Sequence, residues 1–312
     1  MARNFRSRDE YEKEFVRIID RLSYSRQKWQ VWSDLVAAMA CAISNSVDRR
    51  NDHWERREKE YLACVKNMGD AEAAARAFAV VVDALEANPD QDFLGDMYMS
   101  LELGNHWTGQ FFTPYSISRM MAEMMLPDPA EKIRQKGWIS ICDPCIGGGA
   151  MLVAAAGKLR RQEVNYHDHA LFIGQDIDRI VGMMAYIQLS LLGCPGYIVI
   201  ADTLRNPVVG DALMPAEQEG QEFWYTPFYF KDTWDARRRI RLMDQVFRRM
   251  SKKTAVETTE TMGYTFFFDF RGGSELYESE WNREAERLPD GEHNGGAHPG
   301  SPCGEVREVA GL

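Results

Sequence analysis

No stretch of this chain approaches the ~18–20 consecutive apolar residues of a membrane span, which excludes a spanning helix. The N-terminus, Met1-Ala2-Arg3-Asn4-Phe5-Arg6-Ser7-Arg8, is basic but has no apolar core behind it. It is therefore not a signal peptide, and a cytoplasmic protein is expected. Positive charge is in deficit, with 37 Lys and Arg against 47 Asp and Glu and a net charge of −10. That balance argues against a protein that coats nucleic acid non-specifically, but not against a local basic groove. Cysteine is sparse: the six residues lie at 41, 64, 142, 145, 194 and 303. Cys142 and Cys145 form the one C-x-x-C, and a zinc site calls for a second pair that the chain lacks. A redox pair of the thioredoxin kind opens a helix without a glycine triplet behind it. No metal is expected, and the two cysteines read as small residues flanking an Asp143-Pro144 corner. The 312 residues leave room for one large domain plus an accessory one.

What the chain does have is concentrated at residues 139–149, Ile-Ser-Ile-Cys-Asp-Pro-Cys-Ile-Gly-Gly-Gly. A short apolar run ends in a carboxylate, a glycine-rich turn follows, and Ala150–Ala156 begins a helix. Glycines let the backbone approach a ligand closely, and the helix N-terminus behind them offers unpaired N–H groups. The dinucleotide fingerprint needs glycines at other spacings, so it is not this motif. Two further apolar runs also end in acids. Leu171-Phe172-Ile173-Gly174 leads to Gln175-Asp176-Ile177-Asp178, and Tyr197-Ile198-Val199-Ile200 leads to Ala201-Asp202. Ligands of open α/β sheets bind at the carboxyl edge of the strands, where all three acids are expected to gather. Asp178 is the alternative cap for the helix expected over 179–192.

The Asp-Pro-x-x-Gly-Gly-Gly loop resembles the S-adenosylmethionine (SAM) loop of amino-methyltransferases. Upstream, Gln110-Phe111-Phe112-Thr113-Pro114 is similar to the motif that precedes that loop in DNA N6-adenine methyltransferases of the type I modification-subunit kind. The resemblance covers about 105–230. It implies an α/β, Rossmann-like SAM-dependent methyltransferase sheet and SAM as cofactor. Phe111, Phe112, Thr113, Asp143, Pro144, Gly147 and Gly149 would line the cofactor site. Asp176 would take the ribose hydroxyls, and Asp202 the adenine amino group. DNA is the implied substrate, with methyl transfer to the N6 amino group of adenine.

The resemblance breaks at the family's fourth motif, Asn-Pro-Pro followed by an aromatic. There the Asn side chain and a backbone carbonyl hold the target amine, and the aromatic stacks on the flipped-out base. No Asn-Pro-Pro occurs in this chain. Asn206-Pro207-Val208 begins too soon after Asp202 to leave room for a helix and a strand. Phe223-Trp224-Tyr225-Thr226-Pro227-Phe228-Tyr229-Phe230 is an apolar strand at ordinary crossover distance. That register makes Thr226, Pro227 and Tyr229 the candidate target-base residues. A buried aromatic strand without a catalytic role stands as the alternative.

Residues 8–100 read as helical throughout, with Phe15, Ile18, Ile19, Leu22, Trp29, Trp32, Leu35, Val36, Met39 and Ile43 close to a 3.6 period. The expected organisation is an all-helical N-terminal domain over 1–104, a SAM-binding α/β domain over 105–270 and a disordered polar tail over 271–312. An Arg-rich helix is expected from Asp232 to Met250, and a fifth strand over 263–270. The family's two further strands and its target-reading segment find no match after 270. The enzyme reading therefore implies a partner or specificity subunit, or relaxed sequence choice. The alternative is a SAM-binding regulatory or assembly subunit, of a modification system or a mobile element, without methyl transfer.

Overall fold

The computed structural model describes residues 6–103 and 111–261, with the side chains of 51 and 249–261 set aside. A compact unit ends at Lys252. The expected strand over 263–270 and the polar tail lie outside the described residues.

Five helices come first: α1 (Arg8–Leu22), α2 (Lys28–Val47), α3 (Asn51–Met68), α4 (Ala71–Ala87) and α5 (Phe93–Ser100). The sequence stops and starts them with ordinary devices. Gly69 ends α3 in the left-handed conformation at φ 73°, and Asp70 caps α4 by accepting from the Ala73 amide. Asp92 caps α5 the same way through Gly95. Next come α6 (Tyr115–Met125), α7 (Pro129–Lys136), β1 (Ile139–Asp143), α8 (Ala150–Arg161), a single turn α9 (Tyr166–His169), β2 (Ala170–Asp176), α10 (Arg179–Leu191) and β3 (Gly196–Ile200). These are the strand–loop–helix units the apolar runs and the glycine loop predict. The chain closes with a hairpin, β4 (Val209–Asp211) and β5 (Met214–Ala216), then β6 (Glu222–Tyr225), a 3₁₀ turn over Pro227–Phe230, and α11 (Asp232–Thr261).

The main sheet has the order β1-β2-β3-β6. The first three strands are parallel, and Asp143 sits opposite Gly174, Asp176 opposite Ile200. β6 differs from expectation. It pairs antiparallel with β3, Tyr197 opposite Tyr225 and Ile200 opposite Glu222. A parallel return needs a long crossover, usually a helix. The connection instead holds Pro207, Gly210, Pro215 and Gly220, which break helices, and it folds as the β4–β5 hairpin.

Side chains alternate across the sheet as the pleat requires. Ala170, Phe172, Ile198, Ile200 and Trp224 face the larger core, and Leu171, Ile173, Tyr197, Val199, Phe223 and Tyr225 face a smaller one closed by Tyr229 and Trp234. The larger core runs without interruption from Phe15, Ile19, Trp32 and Leu35 through Phe93 to Leu152, Met184 and Ile187. The boundary expected at 104/105 therefore does not divide the core. An amphipathic pattern gives a helix its apolar stripe but does not name what the stripe packs on. The buried Arg57 clasps the two parts together. It donates to Ser44, Asp48 and the Phe223 carbonyl, and its guanidinium lies 4.1 Å from the Trp224 ring centre. Among the described residues no helix is long and apolar enough to cross a membrane.

Candidate functional site

The carboxyl edge of the three parallel strands carries the glycine loop and the three carboxylates. Gly147 and Gly149 have φ of 55° and 100°, values L-residues rarely adopt. A Cβ on Gly149 would also lie 3.1 Å from both Cα and Cβ of Ala185. The loop is tied to β2 twice. The Ile146 amide donates to the Gln175 carbonyl at 3.0 Å, and the Gly147 amide to Asp176 Oδ2 at 2.9 Å.

Each acid is held in place by backbone. Asp143 Oδ1 accepts from the Cys145 amide at 3.1 Å. Burial, joined by the charge of Asp176, raises the Asp143 pKa above the usual carboxylate value against the pull of that N–H. Such a group favours a cationic neighbour. Asp176 Oδ1 accepts from the Asp178 amide, so both its oxygens already face backbone N–H groups. Each oxygen keeps a second lone-pair site for a hydroxyl donor. Asp178 caps α10 through the Ile180 and Val181 amides, as its alternative role predicts. Asp202 Oδ1 accepts from the Leu204 and Arg205 amides. The Thr203 hydroxyl donates to the Pro144 carbonyl and clasps the Asp202 loop to the Asp143 loop. Ile177 and Leu204, 70% and 93% exposed, present apolar side chains beside Asp176 and Asp202 in the chain.

Upstream, Phe112 lies over the loop, its Cδ1 3.6 Å from where a Gly147 Cβ would stand, and stacks on Tyr98 at 5.1 Å. Phe111 is 71% exposed, and Thr113 and Pro114 are exposed ahead of α6. Cys142 and Cys145 are free and exposed. The described residues hold no group of three His, Cys, Asp or Glu side chains that could bind a metal.

Thr226, Pro227 and Tyr229 are not at this edge. Because β6 runs antiparallel, its end lies beside Gly196, at the amino edge of β3. Thr226 is buried, accepts from the Gly196 amide at 3.0 Å and donates to the Cys194 carbonyl at 2.7 Å. Pro227 opens the 3₁₀ turn. Tyr229 donates to the Leu213 carbonyl at 2.8 Å, and the Arg238 guanidinium lies 4.2 Å from its ring centre. None of the three can meet a group bound at the glycine loop, because the length of the sheet lies between. Asn206 does lie on the loop side. Its amide nitrogen donates to the Glu219 carbonyl and its amide oxygen accepts from Gln221.

The arginines of α11 are mostly committed. Arg237 donates to the Asp168 carbonyl, Arg238 to the Tyr229 carbonyl, and Arg241 pairs with Asp211. Arg239 and Arg248 pair with Asp235 and Asp244 on their own helix.

Sequence reasoning missed the supports beneath the site. Gln175 is buried and donates to the Ala201 and Asn206 carbonyls, shaping the Asp202 loop. Gln188 is buried in α10 and Asp92 at the start of α5. A lone Gln inside the apolar run Met183–Leu192 is the signal that pointed to one of them, since a buried amide needs partners.

Comparison with known proteins bears on the same stretch. The chain is 26% identical over 201 residues to the type I restriction enzyme MjaIX methylase subunit of Methanocaldococcus jannaschii, a match over 64% of this chain and 32% of that protein. The chain thus spans about a third of the length of that relative. Among solved structures it is similar to a Listeria monocytogenes protein described as a class I SAM-dependent methyltransferase, with a TM-score of 0.36, 15% identity, and coverage of 66% of this chain and 57% of that one. It is also similar to the type I restriction-modification methyltransferase subunit of Streptococcus thermophilus, with a TM-score of 0.34, 13% identity, and coverage of 64% and 60%. The N-6 DNA methylase model matches residues 89–268, more than half of the chain and all of the stretch that brings the glycine loop and the three acids together, and the chain belongs to that family.

Proposed function

We propose that this chain binds SAM at the glycine loop and serves adenine-N6 methylation of DNA, in the manner of a type I modification subunit in the cytoplasm. The observation that carries the reading is the gathering of Asp143, Asp176 and Asp202 around Gly147 and Gly149 at one sheet edge. Bound there, SAM supplies a sulfonium-activated methyl group. Asp176 is set to accept from ribose hydroxyls and Asp202 from the adenine amino group. Asp143, raised by its burial, is set to receive the ammonium end. Ile177 and Leu204 offer apolar surface to the purine faces. Phe111, Phe112, Thr113 and Pro144 border the site.

Methyl transfer to an exocyclic amine relies on positioning more than on a strong base. In this reading Thr226, Pro227 and Tyr229 do not position the target amine, because their polar groups are spent at the far edge. Those acceptors belong to residues beyond the described ones or to a partner subunit. DNA and a specificity subunit are the proposed partners.

The placement of Thr226 favours one second reading, a SAM-binding regulatory or assembly subunit without transfer of its own. Calorimetry with SAM and tritiated methyl transfer to unmethylated DNA separate the two. Binding that is lost in Asp143→Ala and Asp176→Ala, with transfer, supports the enzyme. The same binding without transfer, even with candidate partner subunits added, supports the second reading. Absence of SAM binding overturns both.

A further inference from the structure

Beneath the glycine loop lies a buried polar chain that no cofactor contact explains. Gln188 is fully buried within α10, and Asp92, at the start of α5, is 2% exposed. The Gln188 Nε2 group donates in two directions, to Asp92 Oδ1 at 2.7 Å and to the Gly148 carbonyl at 2.8 Å. Gln188 Oε1 accepts from the Leu94 amide at 3.2 Å, and Asp92 Oδ1 also accepts from the Gly95 amide at 2.9 Å. The far side of the same peptide is held too, since the Gly149 amide donates to the Ile146 carbonyl at 3.0 Å. Around Gly148 the loop packs in ordinary van der Waals contact. A Cβ on Gly148 would lie 3.5 Å from the Gly95 Cα and 3.6 Å from both Met184 Cε and Phe112 Cε2.

We propose that Asp92 and Gln188 are positioning residues for the cofactor loop, a buried pair that locks the Gly148–Gly149 peptide in its binding geometry before any ligand arrives. This rests on the SAM-binding reading above. A glycine loop left to itself samples many conformations, and fixing it on binding costs affinity. Here Asp92 orients the Gln188 amide, and the amide in turn draws the Gly148 carbonyl inward. Neither side chain touches the ligand. The stretch Asp92–Gly95 thereby becomes part of the cofactor site, although it lies about 50 residues before the loop.

The test uses the full chain, titrated with SAM in a calorimeter, with thermal unfolding and amide hydrogen exchange measured alongside. Gln188→Met keeps length and apolar volume but has no donor, and should weaken SAM binding about tenfold, the loss of roughly one buried hydrogen bond. It should also speed exchange at residues 147–151 relative to β2. Asp92→Asn keeps an acceptor oxygen for Gly95 and Gln188, and should stay within about threefold of the parent. Asp143→Ala, which removes a ligand contact in the SAM-binding reading and the Cys145 tie, should lose binding while exchange at residues 147–151 stays as in the parent. A Gln188→Met protein that unfolds at lower temperature but binds SAM with unchanged affinity and loop exchange would overturn the proposal. The unsubstituted, ligand-free protein decides the matter if that variant does not fold. Its Gly149 amide must be as protected as the amides of β2, and rapid exchange there overturns the lock. If the parent chain binds no SAM, the cofactor reading falls, while loop exchange still tests the lock by itself.

Discussion

Both backbone amides of the Thr226–Gly196 pair are bonded across the amino edge of the sheet, the Thr226 amide donating to the Gly196 carbonyl at 2.9 Å and the Gly196 amide to the Thr226 hydroxyl at 3.0 Å. This pair closes the antiparallel ladder between β3 and β6 and makes Thr226 a residue of the fold. Thr226→Val keeps the shape and removes the hydroxyl, leaving the Gly196 amide and the Cys194 carbonyl without a partner. Urea unfolding should show a loss of about 1–3 kcal/mol. SAM affinity and any methyl transfer per folded molecule should not change. Loss of transfer in a variant of normal stability would return Thr226 to the chemistry.

Gly149 makes the opposite case, since backbone conformation and space both exclude a side chain. At φ 100°, with Ala185 3.1 Å from a would-be Cβ, Gly149→Ala should cost about 1–3 kcal/mol and move the start of α8. SAM binding should fall with it. Gly69→Ala is the control. It has a similar φ of 73° but nothing within 4 Å, so it should cost about 1 kcal/mol and leave SAM binding intact.

Arg57 is a buried cation whose partners sit on both halves of the core. Arg57→Met removes the bonds to Asp48 and to the Phe223 carbonyl, and leaves Asp48 buried with Arg50 and His53 as its remaining partners. A destabilisation of about 3–5 kcal/mol is expected in chemical unfolding. Converting Asp48→Asn in the same molecule should recover little of it, because Arg50 still pairs with Asp48 once Arg57 is gone.

The pH dependence of stability carries a mark of Asp92. Burial pushes its pKa up to about 6, against the hydrogen bonds from Gln188 and Gly95, with Asp96 adding to the rise and Arg8 opposing it. The native state therefore holds a proton that the unfolded chain has released. Asp92's contribution is present at low pH and is lost as pH climbs from about 4 to about 6. The difference amounts to about 3 kcal/mol at most. Asp48 works in another window, since Arg50 and Arg57 hold its carboxyl well below the usual range and offset its burial. Its stabilisation is lost only as pH falls below about 4. Asp92→Asn should accordingly remove the decline between pH 4 and 6, and it should be more stable than the parent at pH 7. A parent-minus-variant difference in unfolding free energy that is the same at pH 4.5, 5.5 and 7, measured by guanidine titration, would contradict this.

Much of the site was legible because its elements are short and sharply bounded. Ile139–Asp143, Ala170–Asp176 and Gly196–Ile200 are apolar runs that end at an acid or a polar turn, and the glycines at 147–149 admit few structures other than a ligand loop. The direction of β6 was not legible. Phe223, Trp224 and Tyr225 read the same along either sense of the chain, and a strand's apolar pattern does not say which neighbour it joins. That information lay in Pro207, Gly210, Pro215 and Gly220, which turn the connection into a hairpin. The pairing of Asp92 with Gln188 was equally hidden, because 96 residues separate them and only the packed core brings them together.

The reach of Arg57 to Phe223, 166 residues along the chain, has a consequence for biosynthesis. Val31, Trp32, Leu35, Val36 and Met39 of α2 belong to a core that α10 and Trp224 complete. A ribosome adding about 5–20 residues per second takes roughly 10–30 s to bridge that gap. For that interval the nascent helices show apolar faces with no sheet to receive them. The core as a whole is therefore expected to close only after Trp224 has been made, since long-range contacts form late.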